Sequence, residues 1–92
     1  MTPAMLHNRY SVINKIAQNG ARRTLLAQDQ QNEKLVVIKV LLFSEEFRWE
    51  DLKLFEREAE TLKHLEHPAI PQYLDYFELD APEMKGFGLV QK

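Results

Sequence analysis

The sequence predicts an α+β fold: a twisted five-stranded antiparallel sheet with one main helix packed on it. Three observations carry this reading. Leu35 to Leu42 is an almost unbroken apolar, β-branched run, the pattern of a buried strand, with a single lysine inside it at Lys39. Leu52, Phe55, Ala59, Leu62 and Leu65 recur at spacings of 3, 4, 3 and 3, which marks one face of a helix. The remaining apolar segments are short and separated by turn residues, which favours strands that pair with their neighbours.

In chain order, residues 1–9 read as a short, frayed leader ahead of a single domain over residues 10–92. Tyr10 to Ile16 has strand-like alternation, with Tyr10, Val12 and Ile16 on one face. Asn19-Gly20 is a hairpin turn signal. Thr24 to Ala27 is the return strand, Asp29 to Asn32 a polar turn, and Leu35 to Leu42 the third strand. Ser44 followed by Glu45 and Glu46 offers an N-cap with acids where the helix dipole favours them. The main helix is clearest from Asp51, with Glu58 bordering its apolar stripe, and Pro68 stops it by disfavouring helix at His67. Pro71 to Leu79 is an aromatic-rich fourth strand, Asp80 to Gly86 a loop, and Phe87 to Gln91 a fifth strand.

Composition narrows the function. Ninety-two residues with 45% hydrophobic and 28% charged content make one globular domain with a modest core. A net charge of −2 gives no electrostatic case for nucleic acid or an anionic membrane. The sequence has no cysteine, so disulfides and thiolate metal sites are excluded. The longest apolar run, Leu35 to Phe43, is broken by Lys39 and falls short of the roughly 20 residues of a membrane span. A cytoplasmic protein is the expectation. His64 and His67 are three apart, but Pro68 breaks the helical register and no third ligand stands nearby, so no metal site is expected.

Val36-Val37-Ile38-Lys39, then Leu54-Phe55-Glu56-Arg57-Glu58-Ala59, then His67-Pro68-Ala69-Ile70, occur in one order with a strand-to-helix change between them. This arrangement resembles the small N-terminal lobe of a eukaryotic-type Ser/Thr protein kinase, from about Tyr10 to Lys92. Ile70-Pro71-Gln72-Tyr73 and Leu89-Val90-Gln91 look like bacterial, cyanobacterial-type members. The resemblance implies that Lys39 contacts the α- and β-phosphates of ATP and that Glu58 pairs with Lys39 to orient it. It aligns the family's three loop glycines with Ala17, Asn19 and Arg22, with Gly20 between them. Glycine there lets backbone N–H groups approach phosphate. Arg22 adds bulk, though Arg22 and Arg23 are themselves phosphate-seeking groups. A plain hairpin turn with two solvated arginines is the alternative.

Val37 stands where the family has alanine and Thr24 where it has valine, both against the adenine; Gln91 takes the gatekeeper position and Lys92 the first hinge position. Leu62 and Tyr73 match the hydrophobic column between the two lobes. Nothing in the 92 residues resembles the catalytic loop or the metal-binding Asp-Phe-Gly of the other lobe. The resemblance therefore implies an N-lobe fragment with the C-lobe absent, inactive in phosphoryl transfer alone. Its cofactor would be ATP with Mg2+, bound weakly or not at all. The alternative is a non-catalytic, pseudokinase-like interaction module. A homodimer or a complementary C-lobe partner is expected to cover Leu62, Tyr73 and Leu89, which a missing lobe would leave partly exposed.

Overall fold

The computed structural model describes residues 5–45, 47–65, 67–80 and 85–92. The chain runs β1 (Met5–Leu6), β2 (Tyr10–Asn19), β3 (Arg22–Asp29), β4 (Leu35–Leu42), α1 (Trp49–His64), β5 (Tyr73–Asp80) and β6 (Lys85–Gln91). The strands form one antiparallel sheet in the order β1-β2-β3-β4-β6-β5. Among the described residues it is an α+β domain with one helix and six strands, where the sequence reading expects five.

The additional strand comes from the segment read as a frayed leader. His7 and Asn8 both adopt positive φ (54° and 51°), and Arg9 N–H donates to the Leu6 carbonyl at 3.0 Å. That turn folds Met5–Leu6 back onto Tyr10 and Ser11, and it seats Leu6 in the core. Residues 1–4 of the expected leader lie outside the described residues.

Alternation along β4 divides the core between the two faces of the sheet. Val36, Ile38, Val40 and Leu42 join Leu6, Tyr10, Leu25, Ala27, Phe77, Leu79 and Val90 on one side. The sheet curls around this cluster, so that strands far apart in the order touch. The Tyr10 hydroxyl of β2 donates to Asp75 of β5 at 3.1 Å, and the His7 ring stacks on Phe77 at 4.6 Å. Burial, with Asp75 adding to it, pushes the Tyr10 hydroxyl up to about 12. Gly88 of β6 faces this cluster under the Phe77 ring, where a Cβ would come within 2.7 Å of the ring. On the other side, Leu41 and Leu89 receive Phe55 and Ala59 of α1, with Leu52, Leu62, Tyr73, Tyr76 and Phe87 around them.

Several sequence expectations need correction. Two bulges in β2, between Val12 and Asn14 and between Lys15 and Ala17, break the alternation, so Ile16 is exposed rather than sharing the face of Tyr10. The helix begins at Trp49 with Arg48 as its N-cap; Arg48 N–H donates to Asp51 at 3.1 Å, and the acids of the first turn are Glu50 and Asp51. Glu46 of the expected cap lies outside the described residues. Leu65 is the C-cap residue and is exposed, because the chain leaves the helix before that position can face the sheet. Asp80, Lys85 and Gly86 are strand residues rather than loop, and residues 81–84 lie outside the described residues. Leu89 is fully buried, since α1 sits on the surface expected to be bare.

Candidate functional site

Strand register places the predicted site on the helix-covered side of the sheet. Directly opposed residues of antiparallel strands point to the same face. Lys39 of β4 opposes Thr24 of β3, and Val37 opposes Gln91 of β6. Thr24 in turn opposes Ala17 of β2, and Arg22 opposes Asn19. Two-residue alternation along β3 and β4 then brings Ala17, Asn19, Arg22, Thr24, Val37, Lys39 and Gln91 to one side, the side of α1.

Lys39 and Glu58 meet there. Lys39 Nζ donates to Glu58 Oε1 at 2.9 Å, joining β4 to the middle of α1. The helix supplies this geometry because Glu58 lies three residues after buried Phe55 and one before buried Ala59. It borders the apolar stripe and reaches the sheet without entering the core. The pair is part-exposed, with 37% of the Lys39 and 28% of the Glu58 side chain accessible. Glu58 Oε2 is also taken: Arg22 Nη1 donates to it at 3.1 Å, and the Arg22 guanidinium stands 5.5 Å over the Phe55 ring. Burial pushes the Glu58 carboxyl up, but the Lys39 hydrogen bond and the charges of Lys39 and Arg22 outweigh it and hold the group below the usual carboxylate range.

Sequence reasoning placed Arg22 against phosphate or in solvent and missed its contact with Glu58. The available signal was parity: residue 22 lies two before Thr24, so it must share the face of Lys39 once β3 and β4 are in register. Arg23, the other arginine of the hairpin, is half-buried; its Nε is buried without a partner among the described residues. The hairpin tip itself is tight. Asn19 pairs with Arg22 across Gly20-Ala21, with positive φ at Gly20 (61°), the pattern of a two-residue hairpin turn.

Two hollows flank Glu58. One, of about 620 Å³, is lined mainly by apolar groups and includes Val37, Lys39, Leu62 and Gln91. The other, of about 630 Å³, lies between the hairpin tip and the start of α1, and includes Asn19, Gly20, Arg22, Arg48 and Asp51. Glu58 and Leu54 line both, so the carboxylate forms the ridge between them. Ala17 and Asn19 are exposed on β2, and Thr24 is half-buried. Another ion pair lies elsewhere in the fold: Arg9 donates through two nitrogens to Asp29, at 2.9 and 2.8 Å. The Arg9 hydrogen bond holds this buried carboxyl below its ordinary range and ties the β1–β2 turn to the end of β3.

No helix among the described residues is long and apolar enough to cross a membrane. No protein-family model matches the sequence. Curated proteins do, two of them bacterial kinases. The chain is 37% identical, over a 95-residue alignment covering 96% of its length, to serine/threonine-protein kinase C of Synechocystis sp. (strain ATCC 27184 / PCC 6803 / Kazusa). It is 32% identical over 75 residues, 82% of its length, to serine/threonine-protein kinase PrkC of Bacillus subtilis (strain 168). It spans only 17% and 12% of those proteins. The chain is thus a sequence relative of the bacterial Ser/Thr protein kinases, and the segment it carries resembles their N-terminal lobe.

Proposed function

We propose that these 92 residues act as the N-lobe of an ATP-dependent Ser/Thr protein kinase, holding the nucleotide phosphates with Lys39 while Glu58 orients the lysine. The observation that carries this reading is the 2.9 Å Lys39–Glu58 bond between β4 and α1. Developing negative charge on a phosphate requires a fixed cation, and a lysine on a flexible four-carbon stem is fixed only when a partner holds it. Two cations against one carboxylate leave a local surplus of positive charge on this face, which suits a polyphosphate. The adjoining hollow, with Val37 and Gln91 on its wall, suits an apolar base.

ATP, when bound, supplies the transferable phosphoryl group. Val37, Thr24 and Gln91 would border the base, Lys39 would hold phosphate oxygens, and the exposed tip residues Ala17, Asn19 and Gly20 would lie over them. Among the described residues no three acidic or histidine side chains cluster in a way that could hold a metal. Magnesium therefore receives no ligand assignment among the described residues. The 92 residues also contain no counterpart of the family's catalytic loop, so no group is assigned as general base. The partner is a second copy of the chain or a polypeptide that contributes a C-lobe.

Alone, the chain transfers no phosphoryl group. Pure protein incubated with labelled ATP, Mg2+ and a generic protein substrate gives no transfer above buffer. Transfer that co-purifies with the chain and disappears in Lys39→Ala overturns this. A second reading, a non-catalytic interaction module that keeps the lobe and has lost nucleotide chemistry, is favoured by Arg22. Its side chain stands where the resemblance expects a glycine and already occupies Glu58. Nucleotide binding separates the two readings.

A further inference from the structure

We propose that Arg22 is a positioning residue that holds Glu58, and with it α1, in the arrangement where Lys39 is paired. The proposal deepens the reading above, but its geometry stands without nucleotide. Arg22 begins β3 and is anchored on both sides, opposing Asn19 in β2 and Leu41 in β4. The next residue toward the tip, Ala21, is buried in the helix-side core, and its carbonyl accepts from Leu42 N–H at 2.9 Å. The guanidinium therefore reaches α1 from a fixed base, although 37% of the Arg22 side chain stays accessible. It bonds Glu58 Oε2 at 3.1 Å and lies 5.5 Å over the Phe55 ring, so it grips α1 at two points one helical turn apart.

The helix has use for such a grip. Only Phe55 and Ala59 are fully buried along its length, and its first half exposes Trp49 and Leu54. Lys39 alone would hold one oxygen of a carboxylate that can rotate. With Arg22 on the second oxygen, both are fixed and the carboxylate plane is set. A glycine at position 22 could supply none of this, so the residue that costs the loop its closest approach to phosphate gives the helix a second anchor.

Carbon-13 labelling of the Glu58 carboxyl and amide hydrogen exchange, measured without nucleotide, test the proposal in the whole chain. The charged groups to account for are Lys39 from β4 and Arg22 from β3, which bond Glu58. Arg48, Asp51 and Arg57 line the neighbouring hollows from the start and middle of α1. In Arg22→Ala the Glu58 carboxyl titrates at higher pH than in the wild type. Exchange of the α1 amides around Phe55 to Leu62 rises by about two- to fivefold, the ratio that corresponds to a part-exposed ion pair, while β4 and β6 keep wild-type protection. Arg22→Lys, which keeps the charge, returns the Glu58 titration most of the way. The proposal is overturned if the Glu58 titration is unchanged in Arg22→Ala, if exchange rises equally through the sheet, or if Arg22→Lys behaves like Arg22→Ala. Because neither readout uses ATP, a chain that binds no nucleotide would count against the kinase reading alone.

Discussion

Replacing Glu58 by glutamine keeps the shape of the side chain and removes its charge. Two charge-assisted hydrogen bonds, at 2.9 Å from Lys39 and 3.1 Å from Arg22, become weaker bonds or are lost. The two cations are then left near each other with no anion between them. Both ends of the Lys39 pair are about a third accessible, so solvent screening limits each interaction to roughly 0.5–1 kcal/mol. The expected loss is about 1–2 kcal/mol, and in a domain of this size each kcal/mol moves Tm by about 4–8 °C. The pH dependence has a definite sign. The folded carboxyl titrates below its unfolded value, so its stabilisation is complete above the unfolded pKa of about 4.3. It is lost as pH falls through the lower folded value. Urea unfolding of the wild type and Glu58→Gln at a series of pH values from 7 downward reads this directly. The gap is largest at neutral pH and closes in acid, and the acid sensitivity of Asp29 cancels because both proteins carry it. Equal stabilities at pH 7, or a gap that persists unchanged in acid, would refute the electrostatic account.

Two further expectations concern packing and association. Gly88→Ala places a methyl group 2.7 Å from the tip of the Phe77 ring, which is itself buried against Tyr10 and His7. Overpacking of this kind costs about 1–3 kcal/mol, and a variant as stable as the wild type in urea would mean that the ring moves freely. The chain is also expected to self-associate. Trp49 is 73% exposed, and its ring, with those of Phe47 and Phe43, forms an aromatic surface at the start of α1. Light scattering at several concentrations should show mass rising toward a dimer, whereas a constant monomer that binds no apolar dye would contradict it.

Much of the scaffold was readable in the sequence because its signals are local. Leu35–Leu42 is a strand with the bounds expected, since a β-branched run with one lysine has few other solutions. The helical stripe located Phe55 and Ala59 in the core and Glu58 at its border. What escaped depends on small or distant features. A two-residue strand such as Met5–Leu6 has no periodicity, and only the turn conformation of His7 and Asn8 makes it pair. The bulges that turn Ile16 outward follow from strand pairing, not from the residues of β2 alone. The bond from Arg22 to Glu58 spans 36 residues and needs both the register of β3 on β4 and the docking of α1. The burial of Asp29 was hidden for the same reason: its partner Arg9 lies 20 residues away, across a turn that looked like a frayed end.

The most direct test of the central claim is a residue-resolved NMR titration with Mg-ATP, run on the wild type and on Lys39→Ala. The account predicts shifts concentrated at Thr24, Val37, Lys39, Glu58 and Gln91. They saturate only above about 1 mM, near −4 kcal/mol, because one open wall buries little of the ligand. In Lys39→Ala the shifts are lost. Absence of shifts at these positions, shifts that survive Lys39→Ala, or micromolar saturation would contradict the claim that this face of the 92 residues holds nucleotide phosphates.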